Sequence, residues 1–171
     1  MISFNYKKKI FFDDFLIKKC IFVRTKSINM ENILKYKDLV YRIIGAAMEV
    51  HSTIGWGLLE GVYQECLHLE LLDNNIENEC EKEIKIKYKN RILNKTYRMD
   101  IVVGDIIIEL KSVSELTAEH RAQLCNYLRL TKKPLGLLIN FGEEYLIGER
   151  WAYDEINNIC YIVDKNMQRL L

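Results

Sequence analysis

The stretch Tyr97 to Ser112, YRMDIVVGDIIIELKS, constrains the fold more than any other. Two apolar, β-branched runs meet at Gly104-Asp105, and a Gly-X pair between such runs predicts a two-residue hairpin turn with glycine at the first central position. That turn sets a register in which Val103 faces Ile106, Val102 faces Ile107, Ile101 faces Ile108 and Asp100 faces Glu109. Residues opposite each other in an antiparallel pair have Cβ atoms ~4.5–5.5 Å apart, and residues two apart share a face. Asp100, Glu109 and Lys111 are therefore expected on one side of the hairpin. Met99, Ile101, Val103, Ile106, Ile108 and Leu110 form the apolar face opposite.

Two carboxylates held so close repel unless a proton or a cation sits between them. A hard divalent ion such as Mg²⁺ suits them, because it takes a few carboxylates and keeps its other positions for water and phosphate oxygens. One strand step from Glu109, the Lys111 ammonium can then orient an attacking water or neutralise charge developing on a phosphate. The plain alternative is a surface aspartate beside a Glu/Lys ion pair, since charges alternate along many exposed strands. The surrounding chain has to decide between them.

With 171 residues, 49% of them hydrophobic, the chain suits one domain with a substantial core. A net charge of +1 announces neither nucleic acid nor membrane globally, so any electrostatic footprint must be local. The five cysteines, Cys20, Cys66, Cys80, Cys125 and Cys160, have no CxxC spacing, which fits reduced thiols in a cytoplasmic protein better than a disulfide framework or a zinc site. His51, His68 and His120 are likewise scattered. Residues 1–29 read as an N-terminal extension whose apolar pieces are interrupted by Asp13, Asp14, Lys18 and Lys19, so no signal region or membrane span is expected there. Either Met30 is the true start and the extension is not native, or a basic, aromatic arm precedes a domain at 30–171.

From Glu31 to about His51 the spacing of Tyr36, Val40, Ile43, Ile44, Ala47 and Met48 predicts a helix, broken by Gly55-Trp56-Gly57. A second helix is predicted from Leu58 to about Leu72, with Glu60 in its first turn, where the helix dipole favours a carboxylate. Between Lys82 and Arg98 lie seven Lys/Arg and one acid, Glu83, with Ile84, Ile86 and Tyr88 alternating against lysines. This predicts a hairpin with one buried and one basic face, turning near Asn90. Such a face suits a phosphate backbone, or else guards an edge strand against aggregation. Thr117 is a plausible N-cap for a helix ending near Thr131, before Pro134. On it Gln123 and Tyr127, at i and i+4, share a face and are placed to reach the acids; a core tyrosine and a solvated glutamine is the alternative. Leu135 to Phe141 is a buried-strand run, so the Glu109 strand, the helix and this strand predict a right-handed βαβ unit with parallel pairing. Tyr145 to Tyr153 is expected as an edge strand, and Ile156 to Leu171 as an amphipathic end piece.

Several of these segments together resemble a known family. Ile43-Ile44-Gly45-Ala46-Ala47-Met48-Glu49-Val50-His51, then Gly57-Leu58-Leu59-Glu60-Gly61-Val62-Tyr63, is similar to the signature of the GxxExxY family. Asp100, Glu109-Leu110-Lys111, Gln123 to Leu128 and Leu137 to Gly142 continue it in order, from about residue 36 to about 150. That family is grouped with the PD-(D/E)XK nuclease superfamily, which implies an α/β, restriction-endonuclease-like mixed β-sheet flanked by helices in an αβββαβ order. The resemblance implies Asp100, Glu109 and Glu60 as metal ligands, Lys111 as the catalytic lysine, and Gln123 and Tyr127 as a QxxxY helix motif serving catalysis. Met99 stands where the superfamily's motif has proline. The expected activity is Mg²⁺-dependent phosphodiester hydrolysis of DNA, with Mn²⁺ as a substitute ion and no membrane partner. The alternative is a non-catalytic nucleic-acid or protein-binding module that keeps the nuclease fold.

Overall fold

The computed structural model describes residues 33–170. The expected extension at 1–29 lies outside the described residues. Helix α1 (Lys37–Ile54) buries Val40, Ile43, Ala46, Ala47 and Val50, one stripe at helical spacing, and ends at Gly55, whose φ of 75° stops it. Met48, expected on that stripe, is exposed instead, because it falls a step outside the positions the sheet covers. Helix α2 (Glu60–Asp73) buries Tyr63, Leu67 and Leu71, a single narrow row. Leu59 just before it and Val62 on it face outward.

A six-stranded sheet follows in simple order: β1 (Glu79–Tyr88), β2 (Arg91–Val103), β3 (Ile106–Lys111), β4 (Leu135–Asn140), β5 (Ile147–Asp154) and β6 (Ile159–Val163). All neighbours are antiparallel except β3 and β4, which run parallel because helix α3 (Ala118–Thr131) crosses between them. The run α2-β1-β2-β3-α3-β4 has the expected αβββαβ order. Strand β5 is not the edge strand predicted: β6 pairs along it from Arg150↔Val163 to Asp154↔Ile159 and takes that place.

The hairpin register is the one read from the glycine turn, with Ile101↔Ile108, Val102↔Ile107 and Val103↔Ile106 paired and Gly104 at φ +55°. Two layers of core result. Helices α1 and α2 cover one face, packing on Ile101, Val103, Ile106, Ile108, Leu110, Leu137 and Ile139. Helix α3 covers the other through Leu124, Tyr127 and Leu128 against Val102, Ile107 and Leu138. Its approach is close enough that a Cβ on Gly136 of β4 would sit 2.7 Å from Leu124 Cδ1, so any side chain there would force Leu124 to shift. Met99 departs from expectation by joining the α3 face. The β1–β2 ladder pairs Cys80 with Ile101 and Lys82 with Met99 but passes over Glu81 and Asp100, and Glu81 has φ +50°. That local irregularity breaks the alternation between Met99 and Ile101.

Past it, the outer β1–β2 hairpin leaves the sheet. Arg91 to Arg98 are all exposed, and of the apolar positions expected to form its buried face only Ile84 is buried, while Tyr88 stands 62% exposed.

Candidate metal and phosphodiester site

Strand β3 is buried along its whole length, which is ordinary for its isoleucines and costly for Glu109 and Lys111. The Glu109 side chain is 0% exposed. A buried carboxylate is tolerated only with a partner, and Lys111 supplies one: its ammonium donates to Glu109 Oε1 at 2.8 Å and to the Leu110 carbonyl at 2.6 Å. Glu60, the first residue of α2, reaches the same ammonium at 3.5 Å. Asp100 comes from the adjacent strand where the ladder is interrupted, and its Oδ2 accepts the Leu110 N–H at 2.7 Å. The three acids and the lysine expected to work together thus converge at one place, although Asp100 meets β3 through the Leu110 amide rather than as a ladder partner of Glu109.

The electrostatics of the group are unbalanced. Burial pushes the Glu109 carboxyl up to about 8, Asp100 adds to the rise, and Lys111 only partly opposes it. Asp100 is raised too, first by burial, with the Leu110 amide and Lys111 pulling the other way. Burial lowers the Lys111 pKa, but the attraction of Glu109, with Glu60 and Asp100, outweighs it and the net shift is upward. One oxygen, Glu109 Oε2, is buried with no hydrogen-bond partner among the described residues.

That orphaned oxygen is the observation against which a metal can be judged. Hard carboxylate oxygens, one of them unpartnered and two of them with raised affinity for a proton, fit a divalent cation by donor chemistry. Among the described residues no three His, Cys, Asp or Glu side chains form a closed metal cluster as they stand; the lysine ammonium sits between Glu109 and Glu60.

Helix α3 contributes Gln123 and Tyr127, which bond to each other, Gln123 Nε2 donating to Tyr127 Oη at 3.0 Å. Tyr127 is buried on the sheet face that carries Glu109, and its pKa is raised by burial first and then by the charges of Glu109 and Asp100. Among the described residues, their bond to one another is the contact that defines the pair, and neither is hydrogen-bonded directly to Lys111 or the acids.

Three supports go beyond the residues the sequence nominates for the site. Gln64, one helical turn after Glu60, donates to the Asp100 carbonyl at 3.2 Å and ties α2 to the interrupted ladder; the Glu60/Gln64 i, i+4 spacing was the available signal. Asn140, paired with Lys111 across β3–β4, accepts the Val113 N–H at 3.0 Å and donates to the Val113 carbonyl at 2.8 Å, fixing the chain just after the lysine. Tyr63 stacks on Phe141 with ring centroids 4.5 Å apart and bonds to both Gly55 and Leu58, while Ser112 donates to Leu58, so the loop preceding Glu60 is pinned to the end of β3.

A family model described as the PD-(D/E)XK nuclease superfamily matches residues 37–150, more than half of the chain and the part that holds every residue of this cluster. The chain belongs to the PD-(D/E)XK nuclease superfamily. Its mixed sheet flanked by helices is the restriction-endonuclease-like fold of that superfamily. A solved structure, that of SSO0001, is similar at 24% identity over 57% of this chain, with a TM-score of 0.42; the matched part is 55% of that chain, about half its length. No curated protein matches. PD-(D/E)XK nucleases typically use divalent metal ions and act on nucleic acid. No helix among the described residues is long and apolar enough to cross a membrane.

Proposed function

We propose that this PD-(D/E)XK protein, of the GxxExxY type, is a Mg²⁺-dependent nuclease that hydrolyses phosphodiester bonds in DNA. The observation that carries the reading is that Glu109 and Glu60 meet on one lysine, with Asp100 held beside them by the Leu110 amide and Glu109 Oε2 buried and unpartnered among the described residues. A purely structural ion pair gains nothing from neighbouring acids that raise the proton affinity of Glu109. Asp100 and Glu109, with Glu60, would hold the ion. Bound there, Mg²⁺ supplies Lewis acidity toward the scissile phosphate and the attacking water.

The chain's own groups do the rest. The Lys111 ammonium orients the water for in-line attack and offsets negative charge growing on the phosphate oxygens. Leu110 N–H fixes the Asp100 carboxylate, so one oxygen is held and the other is left for the ion. Gln123 and Tyr127 form a polar ledge on the α3 side that positions the scissile phosphate.

A second reading, a binding module that keeps the fold without hydrolysis, is favoured by one observation: the ammonium of Lys111 already compensates Glu109 and Glu60, as a resident cation would. A cleavage assay on DNA with Mg²⁺ or Mn²⁺ separates the two. Metal-dependent nicking by the wild type that vanishes in Asp100→Ala supports the nuclease. DNA binding without metal-dependent cleavage supports the module.

A further inference from the structure

The outer β1–β2 hairpin is unexplained by the fold or by the acidic cluster. A two-stranded ribbon standing off a sheet is only marginally stable alone, and here Arg91 to Arg98 are exposed on both faces, beyond the point where β2 begins to pair with β3 at Ile101. Residues 84–97 hold five basic side chains, Lys85, Lys87, Lys89, Arg91 and Lys95, and no acid. The acids of the hairpin, Glu79, Glu81 and Glu83, lie at its root and are matched there by Lys82 and Arg98. The free part of the ribbon is therefore uniformly positive, on a chain whose net charge is only +1.

Protection of an edge explains lysines, but it does not explain Tyr88 and Ile92, 62% and 60% exposed at the same tip. Exposed apolar groups on an open strand edge invite the pairing that lysines are there to prevent. Base edges and a phosphate backbone explain both. The major groove of B-form DNA admits a two-stranded ribbon, offers thymine methyl groups to apolar side chains and is walled by phosphates for Lys and Arg. The double-stranded RNA groove is too deep and narrow for one. At ~3.3 Å per residue the eight exposed positions of β2 reach ~26 Å, a large part of one ~34 Å turn of duplex. The ribbon is also rooted at the site, since Arg98 is two residues before Asp100 on the same strand.

We infer that the β1–β2 ribbon is a duplex-DNA grip that lies in the major groove and holds the double helix against the Asp100–Glu109–Lys111 cluster. The inference rests on the nucleic-acid half of the proposed function and not on catalysis. Its test is therefore run without metal, so that an absence of cleavage and a failure of the grip are read separately.

Binding of the full chain to fluorescent duplex DNA is measured by anisotropy in EDTA over a range of salt, for wild type and for Lys85→Gln/Lys87→Gln/Arg91→Gln. Removing a single lysine–phosphate or arginine–phosphate pairing makes the slope of log K against log salt shallower by ~0.9. The triple variant is expected to bind duplex DNA at least tenfold more weakly with a slope shallower by ~2–3, while Lys85→Arg/Lys87→Arg keeps both affinity and slope. Should the triple variant fail to fold, the three single substitutions each show a slope shallower by ~0.9. Unchanged duplex affinity and slope overturn the inference. So does an equal weakening for duplex RNA or for single strands of the same sequence, which would make the ribbon a general polyanion-binding arm.

Discussion

Replacing Glu109 with glutamine removes a buried carboxyl that must hold a proton in the folded protein and should stabilise the metal-free protein. The Glu109 carboxyl is pushed up to about 8, first by burial and then by Asp100, from an ordinary value of 4.5. In the unfolded chain the group ionises as pH passes 4.5, whereas in the folded protein it keeps its proton until about 8. The folded state therefore binds more protons in that window, and stability falls as pH rises through it, levelling off above. At pH 7 the gap to the unfolded value is about 2.5 pH units, and at ~1.4 kcal/mol per unit the penalty is ~3 kcal/mol. Glutamine has no such penalty; the attraction of Lys111 is already contained in the value of about 8, and the ammonium keeps the Leu110 carbonyl and Glu60. The net gain for Glu109→Gln should be ~2–3 kcal/mol at pH 7 and close to zero near pH 4.5. Urea unfolding followed by tryptophan fluorescence, in chelator at several pH values, measures it. Mn²⁺ should then stabilise the wild type and leave the variant unmoved. A variant no more stable than wild type at pH 7, or one with the same fall in stability between pH 5 and 8, refutes the account of Glu109 as a carboxylate awaiting a cation.

Two further substitutions separate the roles of neighbouring groups. Lys111→Ala should keep Mn²⁺ affinity within a few-fold by calorimetry while turnover on DNA drops ~10²–10³-fold; loss of metal binding would contradict the assignment. Asn140→Ala leaves the Val113 N–H and carbonyl without their side-chain partner, and should cost ~1–3 kcal/mol in thermal or urea unfolding. An unchanged midpoint would show that the turn after Lys111 does not depend on it.

What the sequence makes legible follows from which interactions are local. The register of β2–β3 is readable because a two-residue turn with Gly104 at positive φ leaves little choice of pairing. Helix α3 is bounded by Thr117 and by a left-handed residue, Lys132, two positions before Pro134. Strand β6 is not readable, since its residues are a mixture of buried and half-buried positions without a clean alternation. Alternation puts Met99 on the wrong face because it assumes an unbroken ladder, and the break at Glu81 and Asp100 has no marker in residue type. Glu60 looks like a dipole-stabilising first-turn acid, and only the resemblance directs it to the site. Its 3.5 Å approach to Lys111 depends on α2 docking over the end of β3. Asn140 and Gln64 carry no local signal of comparable strength, because a polar side chain acquires its partners only when distant strands and helices meet.

The parts of the cluster are assembled by contacts of very different range. Asp100 and Glu109 come from one hairpin and can approach each other early in folding, within the time a short local pairing takes. The Leu135–Asn140 strand must cross over a helix to lie beside β3, and Glu60 lies on a separate helix, so both enclosing partners arrive by slower, non-local steps. A half-folded chain thus presents two adjacent acids still open to water, where their mutual repulsion is weak. The high proton affinity of Glu109 is a property that appears only on closure, and its appearance would time the last stage of folding more directly than the growth of secondary structure.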